Sequence, residues 1–540
     1  MHLLATTSGV IDGAAEAIDL NQSPADVVIL SAADSELANL ASAADHSPLS
    51  IRLANLMHLQ HNAAVDLYIE KTLAKSKLIV IRVLGGSAYW PYGVDAIVAM
   101  AREQNIKLVL LAGGNDVDQN LTSRSTLNPA DCERIRQYLA FGGPENARTL
   151  YKFCDHILSK VVAPEAAQPL AAAGIYHGSP TAKFAIIFYR SVIEGGQTAP
   201  IDSLIKTLGD CVAIYVASLK DKTSTAIISE NLQAPLVIIN ATSFAVGSET
   251  DDPMAQFDCP VLQVTLAGNS EDDWRDSTRG LRATDLAMSV VLPELDGRIY
   301  TRAISFKSDK MWHEKTQSRI VTYKPVQDRI EYVAKLAQNW AALHQTANAE
   351  KQVVIILANY PDKDGRIANG VGYDTPASTI EILKALRSEG YEVGEIPADG
   401  NKLISLLQSS RRKSGPSNLG TAPDHLSSDF RRDDCELGLE DYLKHFFALP
   451  QLIRTQITSQ WGSPESDPTF QKGAFQLAIN LYGNIAVAIQ PPRGYGIDPK
   501  TTYHDPALVP PHGYLAFYFW LRYPFKAHAI IHNGKHGNLE

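Results

Sequence analysis

Short runs of Val, Ile and Leu recur along the chain, each ending in a loop and followed by an amphipathic helical pattern. "KLIVIRVLGG" (77–86) is the first strand of this kind. In "YGVDAIVAMAREQN" (92–105), Val94, Ile97, Val98 and Ala101 share one helical face, and "KLVLLAGG" (107–114) is the next strand. A strand–helix–strand unit of this length sets two strands parallel with a right-handed crossover. The pattern returns in "KFAIIFYR" (183–190), a helix over 199–209 and "CVAIYVAS" (211–218). "APLVIINAT" (234–242) and "CPVLQVTLA" (259–267) read as further buried strands, and 270–273 is placed to cap the next helix. A third series follows the helical pattern at 326–345: strand "QVVIILANY" (352–360), a helix over 376–390 closed by Gly390, and "YEVGEI" as the next strand. "NIAVAIQ" ends at Pro491, and "AHAIIH" (527–532) reads as a buried strand.

These patterns predict an α/β chain: several doubly wound parallel-sheet units in series, with helical connections. The expected divisions are an N-terminal domain over 1–165, a second over 175–325 and a third beginning at 326 and running to 540. The polar, charge-mixed stretch 408–436 reads as a mobile loop or insertion in the third.

Composition narrows the function. The net charge of −10, from 59 acidic and 49 basic residues, argues against a broad nucleic-acid face. Five scattered cysteines without a CxxC pair argue against a disulfide framework and fit a reducing, cytoplasmic setting. The first residues lack the basic start of a signal peptide, and the longest apolar run, "YLAFYFWL" (514–521), is too short to span a membrane. There is no GxxxxGK[ST], no GxGxxG after a strand, no HExxH and no GxSxG, so most nucleotide-hydrolase, dehydrogenase and esterase readings lose their support.

Several stretches concentrate chemistry at strand ends. In "LGGSAYWPYG" (84–93), Gly85 and Gly86 line a ligand crevice or make a tight βα turn with Tyr89, Trp90 and Tyr92 packed beside it. Tyr189, Arg190 and Ser191 end a strand before Gly195 and Gly196, as ligand contacts or as a helix cap with a solvated arginine. A long loop carries Asp362, Asp364, Arg366, Asn369, Gly370 and Gly372. In 488–522, Arg493, Tyr495, Asp498, Tyr503, His504, Asp505 and His512 crowd a Pro/Gly-stiffened connection that suits a flat anionic ligand or a well-packed turn. His532, His536 and Glu540 are spaced four apart across "NGKHGN", whose two glycines disfavour a helix. They are better placed at a strand end and turn, for metal handling, proton transfer or a structural role.

"IQPPRGYGIDPKTTYHDPALVPPHGYLAFYFWLR" followed by "IIHNGKHGNLE" closely resembles the large subunit of aerobic cobaltochelatase, the CobN family. "LANYPDKDGRIANGVGYDTPAST", "LGGSAYWPYGVD", "FYRSVIEGGQTAPIDSLI", "LPELDGRI" and "QWGSPESDP" resemble the same family in the same order, from about residue 80 onward. The magnesium chelatase large subunit is related, but "DPKTTYHDPALVPPH" is similar to the cobalt branch. The resemblance implies a metal chelatase, a ligase forming nitrogen–metal bonds. It implies insertion of Co²⁺ into hydrogenobyrinic acid a,c-diamide in cobalamin biosynthesis. ATP, with Mg²⁺, is then hydrolysed on AAA+ partner subunits. The family's chains continue past the point matching Glu540, so an N-terminal portion is expected, inactive alone. His532, His536 and Glu540 are then the expected catalytic groups and transient metal ligands. Arg493, Tyr495, Tyr503, His504, His512 and Arg190 are the expected substrate contacts. The alternatives are a magnesium chelatase acting on protoporphyrin IX and a non-catalytic fragment that binds tetrapyrrole or partners.

Overall fold

The structure, a computed structural model, describes residues 17–114, 117–247, 252–308, 311–358, 369–370, 372–414, 435–495 and 508–534. The chain divides into two compact units, 1–340 and 341–540.

The first unit holds two sheets. One comprises β1 (Val27–Ser31), β2 (Ile51–Asn55), β3 (Leu78–Val83) and β4 (Lys107–Ala112), all parallel in the order β2-β1-β3-β4. Every residue of β1 and β3 is buried, as a strand covered on both faces requires. Helices Asp34–Ala44, Pro129–Phe141 and Pro144–Ser159 pack one face, and helices Asn62–Lys71 and Pro91–Glu103 pack the other. At 84–93 the structure forms the tight turn. Gly85 and Gly86 take positive φ, and the Trp90 indole is buried and donates to the Leu59 carbonyl at 2.8 Å. Tyr89 and Tyr92 stay exposed.

The second sheet contains β5 (Ala173–His177), β6 (Phe184–Tyr189), β7 (Cys211–Val216), β8 (Val237–Asn240), β9 (Val261–Ser270) and β10 (Ile299–Lys307). A hairpin of β11 (Met311–His313) and β12 (Ser318–Ile320) follows, and β13 (Tyr323–Pro325) then joins the sheet. The order is β13-β10-β9-β8-β6-β7-β5, with a parallel interior and antiparallel edges β5 and β13. Ser270 accepts from the Asp273 amide and caps helix Glu271–Asp276 as expected.

"LPELDGRI" locks a loop in this unit. The Arg298 side chain is fully buried, 2.9 Å from Asp296 and 3.5 Å from Asp252. It also donates to the Phe244 carbonyl, while Asp296 accepts from the amides of Val246 and Gly247. Removing one partner of a buried ion pair leaves uncompensated charge.

The second unit is built on β14 (Val353–Leu357). Beyond a two-residue hairpin of β15 (Asn369–Gly370) and β16 (Tyr373–Asp374), a small antiparallel sheet of β17 (Glu436–Gly438), β18 (Phe470–Gln471) and β19 (Ala474–Gln476) forms. Then come β20 (Ile479–Tyr482), β21 (Ile485–Ile489) and β22 (Ala529–Asn533), giving a main sheet ordered β20-β21-β14-β22. β14 runs parallel to both neighbours, and β20 is antiparallel to β21. Helices Thr375–Ser388 and Gly400–Ser414 cover one face, and an aromatic layer with helices Leu439–Phe447, Gln451–Trp461 and His512–Arg522 covers the other.

Three expectations change here. "YEVGEI" forms no strand: β20 takes the edge beside β21, and 391–396 runs past their turn, where the Asn484 amide donates to the Glu392 carbonyl. β22 is an edge strand among the described residues, not a buried one, with Ile530 and His532 exposed. Part of the proposed insertion, 408–414, continues a helix, while 415–434 lies outside the described residues.

Arg298→Ala is expected to lower the unfolding free energy by about 3–5 kcal/mol, read by chemical denaturation. A loss under about 1 kcal/mol would show that the loop does not depend on this lock.

Candidate functional site

Polar groups in a buried parallel sheet emerge where the strands end, at their carboxyl edge. In the second unit, three such ends lie side by side. The Gln490 amide donates to the Leu357 carbonyl at 3.0 Å, and the Ala358 amide donates to the Asn533 carbonyl at 3.2 Å. The segments after β21, β14 and β22 therefore leave the sheet together.

The β22 end is pinned by Asn533. It is buried, accepts from the Tyr373 hydroxyl at 2.8 Å and donates to the Thr379 hydroxyl at 2.8 Å. This ties β22 to the first turns of helix Thr375–Ser388. Gly534 follows with φ 147°, and a Cβ there would lie 2.7 Å from that of Ala358. His532 points the other way. It pairs in register with Ile356, whose side chain belongs to the aromatic layer. Its ring is exposed at the strand edge, and partial desolvation lowers its pKa.

The β21 end leads to Gln490, Arg493 and Tyr495. Gln490 is fully buried and donates to the Tyr518 hydroxyl at 3.3 Å. Arg493 donates to the Leu508 carbonyl at 3.1 Å. The Tyr495 hydroxyl donates to Asp467 at 3.2 Å, and its ring meets Trp461 edge-on at 5.9 Å.

Asp467 joins three segments. One oxygen accepts from Tyr495 and from the amide and hydroxyl of Thr469, at 2.9 and 2.7 Å. The other accepts from the Gly513 amide at 2.8 Å, in the first turn of helix His512–Arg522, where a carboxylate also complements the helix dipole.

His512 is fully buried, with both ring nitrogens engaged. Nε2 faces the Gly462 carbonyl at 3.1 Å and must donate to it, so Nδ1 accepts from the Tyr442 hydroxyl at 2.6 Å. Burial lowers the imidazole pKa and raises that of the Tyr442 phenol. This tautomer leaves neither nitrogen for a metal ion.

The structure thus gathers Tyr495 and His512 around Asp467, holds Arg493 on the Leu508 carbonyl and sets His532 on the same sheet edge. Arg190 belongs to the first unit, where its guanidinium holds Glu194 at 3.0 Å. His536, Glu540, Tyr503 and His504 lie outside the described residues, as do Asp362, Asp364, Arg366, Asp498 and Asp505. Among the described residues no group of three or more His, Cys, Asp or Glu side chains could hold a metal ion, and no helix is long and apolar enough to cross a membrane. Asp467, Gln490 and Asn533 carried no signal in periodicity or spacing. Asp467 sits inside "QWGSPESDP", and the family resemblance of that stretch was its one flag.

Residues 136–540 match the CobN/Magnesium Chelatase family. The chain belongs to that family. It is 41% identical over 577 residues to an aerobic cobaltochelatase subunit CobN from Sinorhizobium sp, covering 100% of this chain and 44% of that protein. Identity to a magnesium-chelatase subunit from Chlorobaculum parvum is 27% over 378 residues, 66% of this chain and 27% of that one. The solved catalytic subunit of cobaltochelatase from Mycobacterium tuberculosis superimposes with a TM-score of 0.76 at 30% identity, covering 95% of this chain and 43% of that one. The chain spans less than half the length of the cobaltochelatase relatives it matches.

The buried cluster has consequences for stability. His512 stays neutral in the folded protein, whereas the unfolded chain gains a proton below about pH 6.5. The unfolded state then binds more protons, so this contribution is complete above that pH and shrinks as pH falls towards the lower folded value. The melting temperature of the natural chain should fall more steeply over that window than that of His512→Gln; equal slopes would exclude this role. Asp467→Ala, which strands buried donors, is expected to destabilise by about 2–3 kcal/mol and to change Trp461 fluorescence through the loosened Tyr495.

Proposed function

We propose that this chain forms the ring-binding part of a cobaltochelatase large subunit, acting in insertion of Co²⁺ into hydrogenobyrinic acid a,c-diamide. The observation that carries the cobalt assignment is the difference in likeness: 41% identity over the whole chain to a cobaltochelatase subunit against 27% over 66% of it to a magnesium-chelatase subunit. ATP hydrolysis, with Mg²⁺, is assigned to AAA+ partner subunits.

Metal insertion must strip water from Co²⁺, deform the ring and remove N–H protons. Imidazole and carboxylate suit both metal transfer and proton acceptance. His532, with His536 and Glu540, is assigned that work, and an imidazole with a lowered pKa is available as a neutral ligand or base near neutral pH. Arg493 is assigned to a peripheral carboxylate of the ring, with Tyr495, Tyr503 and His504 shaping the pocket. His512 acts by holding the start of its helix.

The test is a tryptophan-fluorescence titration with hydrogenobyrinic acid a,c-diamide, with protoporphyrin IX in parallel. Saturable quenching by the corrin precursor alone is expected, weakened about tenfold or more in Arg493→Ala by loss of a charged hydrogen bond. Preference for the porphyrin would replace cobalt with magnesium. No response to either ring would reject ring binding by these residues.

A further inference from the structure

The first unit contains a cavity of about 440 Å³ beside the carboxyl end of β2. Small organic ligands occupy cavities of roughly 300–1,000 Å³. One wall is aliphatic, from Leu20, Leu37 and Leu53. Another is the β11–β12 hairpin, where Trp312 and Arg319 stand directly opposite each other across the two strands and both line the cavity. Directly opposed residues present their side chains on the same face. An indole and a guanidinium therefore border one space.

Most polar groups around this space are already committed. The Gln22 amide donates to the carbonyls of Leu53 and Gln317, and its oxygen accepts from Tyr68. Asn55 donates to Asp34 and accepts from the Met57 amide. Asp19 pairs with Lys71 at 2.5 Å. Arg319 differs: its side chain is exposed and makes no hydrogen bond, ion pair or ring contact with any described residue. Trp312 is 48% exposed, and its indole N–H likewise has no acceptor among the described residues. An uncommitted cation and an uncommitted aromatic donor thus flank a mainly apolar hollow.

We propose that this cavity binds a compact, largely apolar organic anion with a planar ring. The ring lies between Trp312 and the aliphatic wall, and the anionic group takes the Arg319 guanidinium. Arginine's planar fork matches an anionic oxygen pair, and indole offers a large apolar face with a polar edge. This site is independent of the chelatase assignment.

The probe is 8-anilinonaphthalene-1-sulfonate, with N-phenyl-1-naphthylamine as its neutral counterpart, titrated into the full chain by fluorescence. One saturable site for the anion is expected. Arg319→Gln should weaken it about tenfold, as loss of a charge-assisted contact does, with Arg319→Lys, which keeps the charge but not the fork, between the two. The neutral probe should respond little to Arg319→Gln, and Trp312→Ala should weaken both probes. A control at exposed Leu295, outside the cavity, should change neither. Circular dichroism and melting temperature confirm that each variant is folded. Absence of a saturable site, equal affinity in Arg319→Gln and the natural chain, or equal loss of both probes in Arg319→Gln would overturn the proposal.

Discussion

Burial of the central strands on both faces is the constraint on which the rest depends. β1, β3, β7 and β14 are buried along their whole length, so their sequences are committed to aliphatic packing and carry almost no chemistry. Reactive side chains can appear only where a strand stops. In the second unit this confines them to the ends of β21, β14 and β22, which hydrogen bonds at Gln490 and Ala358 hold side by side. The sheet thereby brings together segments separated by more than a hundred residues in sequence.

Holding such loops in place needs polar anchors, because an aliphatic core stops at the sheet edge. Asn533 ties one strand end to helix Thr375–Ser388, and Asp467 ties the loop after β21 to the start of helix His512–Arg522. Both anchors are nearly inaccessible and use most of their hydrogen-bonding capacity on protein groups. The exposed His532 contrasts with them: its strand is fixed through Asn533, but its own ring is left on the open side. The anchors supply geometry, and the His532 ring lies outside their hydrogen bonds.

The strands and crossover helices were legible because their signal is local. Hydrophobic runs such as "KLIVIRV" and the 3.6-residue stripe of Val94, Ile97, Val98 and Ala101 correspond to β3 and helix Pro91–Glu103. Edges were not legible. "AHAIIH" looks as apolar as a central strand, yet β22 has one neighbour among the described residues, and only the sheet order reveals that. "YEVGEI" alternates like a strand but finds the adjacent edge filled by β20. At the site, residue type flagged Arg493, Tyr495 and His532. The same reasoning could not separate His512, whose nitrogens are both consumed by Tyr442 and Gly462. It gave no role to Asp467, whose partners come from segments distant in sequence.

The first unit shows why a fold rule alone does not find a site. In an order β2-β1-β3-β4, the crevice expected to take a ligand lies between the carboxyl ends of β1 and β3. Here that position is filled from within. Glu36 accepts from the Ser31 hydroxyl and pairs with Arg82 at 2.7 Å, and Arg82 also donates to the carbonyls of Gly113 and Gly114. Lys307, from the end of β10, meets Asp34 at 3.6 Å at the start of the following helix, with its pKa lowered by burial. A ligand entering there would have to displace ion pairs that are mostly out of water, and breaking such pairs without replacing a partner is costly. At the end of β2, by contrast, the side chains of Trp312 and Arg319 face a hollow that the protein's own charges have not closed.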